Sequence, residues 1–158
     1  MIKWKELEGN LFDYEVTHFL AHCISADFKM GKGIATEFVR RYNLKELLLD
    51  KYKDNFQHIW EDQSPLCDLT RFNDTKGVFS LITKPKYFKK PTYDTLRKSL
   101  EEMKVLVKKI IDESNETVKI AMPQIGCGLD KLEWNKVKEM VIEMFADINV
   151  ELLFVYKE

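Results

Sequence analysis

The chain has 158 residues, 45% of them hydrophobic, with 25 basic against 26 acidic side chains for a net charge of -1. That length supports one domain with a real core, read here as residues 1–158, and the charge balance gives no global pull toward nucleic acid or an anionic membrane. No apolar run approaches the roughly 20 residues that span a bilayer. The N-terminal MIKWKELEGN lacks the apolar stretch of a secretory signal. Cys23, Cys67 and Cys127 form no CxxC pair and no cluster with His, so reduced thiols in a cytoplasmic protein are expected, with no disulfide framework and no metal.

Along the chain, EVTHFLAHCIS reads as a buried strand, with Val16, Phe19 and Ala21 in alternation. GIATEFVRRYN reads as a helix carrying Ile34, Phe38 and Arg41 on related turns, and KELLLDKY continues in the same helical character. The stretch from Phe56 to Asp74 mixes aromatics, Pro65 and polar residues, and is expected to hold an irregular strand and a loop. GVFSLITK is a strand that stops at Pro85. After Pro91, Tyr93, Leu96, Leu100, Met103, Val107 and Ile110 recur at spacings of three and four, a helix with Thr92 as its N-cap. TVKIAM is the next strand, EWNKVKEMVIEMF a helix, and VELLFVY the last strand. This alternation predicts an α/β layered fold with a mostly parallel sheet.

In such sheets, ligands bind where loops leave the carboxyl ends of strands. Two glycine-bearing loops fall there, HCISADFKMGKGIA and PQIGCGLD. Glycine permits positive φ and close approach of backbone amides, and amides beside a helix N-terminus suit a phosphate. The plainer alternative is a pair of tight strand-to-helix turns. Neither loop carries G-x-G-x-x-G or the Walker sequence, which disfavours an ordinary dinucleotide site or an NTPase.

The blocks AHCISADFKMGKGIATEF, SLITKPKYFKKPTYDTLRKSLEEMK and AMPQIGCGLDKLEW together resemble the macrodomain superfamily, in particular its terminal ADP-ribose protein glycohydrolase branch. The likeness runs from GNLF to the final VY and is weakest between Leu44 and Lys76. It implies a three-layer α/β/α fold with a mixed, largely parallel sheet, and ADP-ribose as ligand and product, without a cofactor. The first block implies Ser25, Gly31, Gly33 and Ile34 along the distal ribose and diphosphate. The third implies Gln124, Ile125, Gly126, Cys127, Gly128 and Leu129 on the other side, with the amides around Gly126 and Gly128 facing phosphate. Asn10 and Leu11 are implied at the adenine, with Tyr156 as a candidate to bound it or to serve as a core aromatic. Many macrodomains carry aspartate where this chain has Asn10. An amide oxygen accepts the same hydrogen bond without charge assistance.

The resemblance also implies catalysis by Lys84, at the end of LITK, and Asp130, after GCGL. In the branch mechanism the lysine attacks the anomeric carbon of the distal ribose, a covalent lysyl–ADP-ribose intermediate forms, and the aspartate moves protons. A lysine is a nucleophile only when neutral, so burial or nearby cations are required; Lys86, Lys89 and Lys90 lie close in sequence. Taken alone, Lys84 reads as a solvated strand-end charge and Asp130 as a helix N-cap. His22 reads as a satisfied core histidine, and Cys127 as a packing residue rather than a nucleophile. The expected substrates are proteins bearing mono-ADP-ribose on acidic side chains, handled by a monomer. Alternatives are removal of ADP-ribose from nucleic acid, for which KPKYFKKP offers phosphate and stacking contacts, ADP-ribose-1″-phosphate phosphatase activity, and a non-catalytic reader.

Overall fold

The computed structural model of the protein describes residues 2–53, 56–127 and 130–157, with only the backbone of Phe56 and Gln57. Among the described residues six strands form one sheet in the order β1-β6-β5-β2-β4-β3. These are β1 (Lys3–Glu8), β2 (Phe19–Ser25), β3 (Cys67–Thr70), β4 (Val78–Lys84), β5 (Val118–Met122) and β6 (Val150–Tyr156). All neighbours run parallel except β3, which pairs antiparallel with β4 at the edge. The sheet is therefore mixed and largely parallel, as expected.

Helices cover both faces, giving three layers. On one face α4 (Tyr93–Ser114) and α5 (Trp134–Phe145) pack Leu100, Met103, Val141 and Phe145 against Phe79 and Ile120. On the other, α1 (Ile34–Tyr42), α2 (Leu44–Tyr52) and α3 (Phe56–Asp62) pack Phe38, Leu44, Leu48 and Ile59 against Leu20 and Ile82. With both faces covered, β4 is buried at every residue from Val78 to Thr83, which is why VFSLIT carries no charge and shows no apolar-polar alternation. No helix among the described residues is long and apolar enough to cross a membrane.

α4 begins where the sequence predicts. The Thr92 hydroxyl accepts from the Thr95 amide at 3.1 Å, and the Thr95 hydroxyl accepts from the Thr92 amide at 2.9 Å. This reciprocal box satisfies two donors that a helix start leaves unpaired. Within the helix, the Ser99 hydroxyl donates to the Ile82 carbonyl and fastens α4 to β4 near its carboxyl end.

Two expectations change and one is refined. EVTHFLAHCIS is extended only from Phe19: Glu15 to His18 form a turn closed by the His18 amide on the Tyr14 carbonyl at 2.8 Å, and Val16 is 65% exposed. KELLLDKY is helical as expected, but as a helix of its own. Asn43 takes a left-handed conformation, φ 54 and ψ 34, and splits the segment into α1 and α2, a conformation that asparagine tolerates better than most residues. The Phe56–Asp74 stretch holds a seven-residue helix ahead of its short strand; two turns are too few for a periodicity to stand out.

His22 lies fully buried in β2, stacked on Phe38 at a centroid distance of 4.0 Å, with Nε2 2.8 Å from the Ser80 hydroxyl. Its Nδ1 has no partner, so it is a half-satisfied core histidine. Burial pushes its pKa down from 6.5 to about 3. Below pH 6.5 the unfolded chain takes up a proton that the folded one refuses, so stability falls as pH drops from about 6.5 toward 3. The limiting slope is about 1.4 kcal/mol per pH unit. Urea midpoints measured from pH 7 to 4 should therefore fall more steeply for the wild type than for His22→Asn. Parallel curves would show that His22 does not set this dependence.

Candidate active site

Because β1, β6, β5, β2 and β4 run parallel, their carboxyl ends share one edge of the sheet. Ser25 ends β2, Lys84 ends β4, Gln124 follows β5, Tyr156 ends β6 and Asn10 follows β1. Residues scattered from 10 to 156 are thus gathered by topology alone.

At the centre, Lys84 Nζ donates to Asp130 Oδ1 at 2.6 Å. Their side chains are 14% and 16% exposed, so the pair is sheltered yet reachable. A slip in the β2–β4 register places Lys84 there: Ile24 pairs with Ile82, but Ser25 pairs with Lys84, passing over Thr83. An extra residue breaks the two-residue alternation and re-aims the side chain that follows it. Asp130 does not cap α5. That position belongs to Glu133, whose own amide donates to the Tyr93 hydroxyl at 3.0 Å.

Cys23, in β2, feels the charges of both members of the pair. Burial raises its thiol pKa strongly, the Asp130 carboxylate and Cys127 add to the rise, and Lys84 opposes it. Cys127 is half-buried, its thiol donates to the Ile125 carbonyl at 3.3 Å, and burial followed by Asp130 pushes it up to about 11. Neither thiol forms a thiolate near neutral pH.

The β2 loop is organised by Asp27. Its Oδ1 accepts from the Ser25 hydroxyl and from the Lys29 amide at 3.1 Å, and its Oδ2 accepts from the Tyr87 amide at 3.0 Å. Together with the Ala26 amide on the Lys84 carbonyl at 2.9 Å, this joins the loops after β2 and β4. The Ser25 hydroxyl is thus committed to a neighbour. Gly33, at φ 65 and ψ -152, is the N-cap of α1 and has no side-chain cap, leaving the helix start open. That backbone region is essentially glycine's own. Gly31 has an ordinary φ and room for a Cβ, so positive φ does not explain it. Ile34 opens α1 with 37% of its surface exposed.

In the β5 loop Gly126 has φ 73, and a Cβ there would stand 3.1 Å from Leu132 Cδ1. The loop amides do not all face outward: Ile125 N–H bonds the Pro123 carbonyl at 2.8 Å and Cys127 N–H bonds the Gln124 carbonyl at 3.3 Å. Gly128 and Leu129 lie outside the described residues. Ile125 is buried, at 2% exposure.

On the far side, Glu6, Gln124 and Tyr156 line a cavity of about 330 Å³. Glu6 is held by Trp134 Nε1 and by Lys138 Nζ at 3.0 Å, and the Trp134 bond, aided by Lys138, holds its carboxyl below the usual range. Asn10 Oδ1 accepts from the Phe12 amide at 3.0 Å, capping a 3-10 turn over Leu11–Tyr14, and Leu11 is only 3% exposed. Asn10 thus has a structural duty beside any contact with a base. Asp27 and Glu6 are absent from the sequence-derived set. An aspartate two residues before a loop amide is an Asx-turn pattern that marks Asp27; nothing local marks Glu6. A larger cavity, about 400 Å³, lies elsewhere, beside Gln63, Leu66 and Val105, and contains none of these residues.

Human ADP-ribose glycohydrolase OARD1 is 37% identical to this chain over 146 residues, which span 92% of the chain and 86% of that relative. The bovine protein of the same name is 36% identical over the same shares. The macrodomain of Thermus aquaticus DarG has a TM-score of 0.71 at 23% identity, with both chains covered completely. Thermosipho africanus DarTG, solved in complex with ADP-ribose, has a TM-score of 0.72 at 16% identity, covering 99% of this chain and 42% of that one. No protein-family profile matches the chain. The two structural likenesses establish a macrodomain fold, and the identity to OARD1 along nearly all of both sequences establishes descent: the chain belongs to the macrodomain family of ADP-ribose glycohydrolase OARD1.

Proposed function

We propose that this protein is an ADP-ribosyl hydrolase that removes terminal mono-ADP-ribose from glutamate and aspartate side chains and releases ADP-ribose. Kinship with proteins named ADP-ribose glycohydrolase supports the reaction class. The observation that carries the mechanism is the 2.6 Å contact between Lys84 Nζ and Asp130 Oδ1 at the carboxyl edge of the sheet.

Lys84 hands a proton to Asp130, and its freed lone pair forms a bond to the anomeric carbon of the distal ribose. The bond from that carbon to the acceptor oxygen breaks, and its electron pair leaves with the acceptor carboxylate. Water then attacks the same carbon, the carbon–nitrogen bond breaks, and a proton passes through Asp130 as the amine departs. The sum is ester plus water giving carboxylate, a proton and ADP-ribose. The uncapped start of α1 at Gly33 supports diphosphate binding, since its amides and dipole favour an anion. The cavity at Glu6, Gln124 and Tyr156 suits the adenosine end. The three free cysteines accord with a reducing, cytoplasmic setting.

The test is incubation with a peptide carrying mono-ADP-ribose on one glutamate, followed by chromatography. Free ADP-ribose and unmodified peptide are the expected products. Tight binding of ADP-ribose without turnover would make the protein a reader. Phosphate release from ADP-ribose-1″-phosphate, with the peptide untouched, would make it a phosphatase.

A further inference from the structure

We propose that Lys29, Lys86, Tyr87, Phe88 and Lys89 form the surface that receives the acceptor, and that it selects an acidic stretch of polypeptide around the modified residue. This rests on the hydrolase reading above and extends it from the ADP-ribosyl group to the chain that carries it.

Position comes first. The segment begins one residue after Lys84 and Pro85, so it borders the place where the acceptor oxygen must leave. It is held in place: the Tyr87 amide is bonded to Asp27 Oδ2 at 3.0 Å and the Lys89 amide to the Lys86 carbonyl at 3.0 Å. Charge comes second. The whole protein is almost neutral, yet four of the seven residues from Lys84 to Lys90 are lysine and none is acidic. Lys29 reaches the same patch from the β2 loop, its Nζ 5.5 Å from the centre of the Tyr87 ring. Carboxylates of the adjoining segments already have partners: Asp27 has Ser25, Lys29 and Tyr87, Asp94 has Lys98, and Asp130 has Lys84. Third, Tyr87 and Phe88 are 51% and 60% exposed, an apolar area beside the site with about half of each side chain open to a partner.

Ring geometry decides between two polyanions. Single-stranded nucleic acid stacks successive bases on aromatic faces. Here the two rings stand at 87° to each other, 5.3 Å apart, so they cannot take consecutive parallel bases. Each also has an ammonium over one face, Lys29 on Tyr87 and Lys89 on Phe88, the latter at 5.6 Å. The rings serve to hold lysine head groups over an apolar floor. Such an array suits carboxylates spaced along an extended peptide, whose methylene groups lie on the rings.

The experiment compares two glutamyl-ADP-ribosylated peptides, one with Asp and Glu flanking the modified residue and one with Ser and Ala. The wild type is expected to show a several-fold lower KM for the acidic peptide at equal kcat, a preference that shrinks as salt rises from 50 to about 300 mM. The combined variant Lys29→Gln, Lys86→Gln, Lys89→Gln should raise KM for the acidic peptide about tenfold, the scale of three exposed ion pairs together. It should leave KM for the neutral peptide unchanged, whatever happens to kcat, while arginine at the same three positions should restore the preference. Equal kinetics on both peptides, or a preference that survives the triple variant, overturns the proposal. So does faster release from an ADP-ribosylated oligonucleotide than from the acidic peptide. If neither peptide is hydrolysed, the hydrolase reading fails by itself, and fluorescence anisotropy of the same peptides still shows whether the surface distinguishes them.

Discussion

Replacing Lys84 by alanine should reduce release of ADP-ribose from a glutamyl ester by a factor of about 10³ or more while ADP-ribose still binds. Removing a nucleophile erases the covalent route and leaves only the contribution of binding and positioning, so the loss is large and falls on kcat. Lys84→Arg separates the two things a cation could do here. The guanidinium keeps the positive charge and can still pair with Asp130, but it does not lose its proton and cannot attack carbon. If Lys84 acted only by attracting an anionic leaving group, arginine would rescue much of the rate. Under covalent catalysis arginine should be as inactive as alanine. Mass spectrometry of wild-type protein mixed with substrate should show an ADP-ribosyl adduct on a peptide containing Lys84, absent from both variants. Activity in Lys84→Arg close to wild type, or an adduct mapped to another residue, would remove the lysyl intermediate from the mechanism.

Much of the frame was legible because burial writes itself into sequence. VFSLITK and VELLFVY are inner strands, buried over most of their length and almost free of charge, and α4 is long enough for its stripe to repeat several times. β1 left little trace: KWKELE lies at the sheet edge with every residue exposed or half-buried. The site was legible in a different way. Lys84 and Asp130 are 46 residues apart, and each reads as a bland surface charge until the resemblance assigns it a role. Local pattern cannot show that Thr83 is skipped in the β2–β4 pairing, since register belongs to two strands at once. The Asx-turn pattern marks Asp27, but the same limit hides its second contact, from the other carboxylate oxygen to Tyr87 across 60 residues. Conversely, the two glycine loops were read too uniformly. Gly33 and Gly126 do occupy positive φ, while Gly31 does not, and the amides of Ile125 and Cys127 are turned onto the protein's own acceptors.

Asp130→Asn probes the other half of the pair with almost no change of shape. An amide oxygen can still accept from Lys84 Nζ, but it cannot take the proton that Lys84 must lose before attack. Loss of a positioned proton acceptor typically costs 10²–10⁴-fold, and a fall of about that size in kcat is expected, with KM nearly unchanged. Stability distinguishes this from a capping role. The start of α5 belongs to Glu133, not Asp130, so the helix loses no cap in the variant. The change in unfolding free energy should stay within about 1 kcal/mol, the range of a partly exposed ion pair. A capping aspartate would give the opposite profile, a lowered melting temperature with catalysis intact. Because proton transfer is needed both to free the amine and to let it depart, Asp130→Asn should also slow decay of any adduct already formed. In a chase with unlabelled substrate, label on Lys84 should persist longer than in the wild type. Wild-type turnover in Asp130→Asn, with the adduct decaying at its normal rate, would leave the carboxylate as a mere counter-ion and require water or another group to carry the proton.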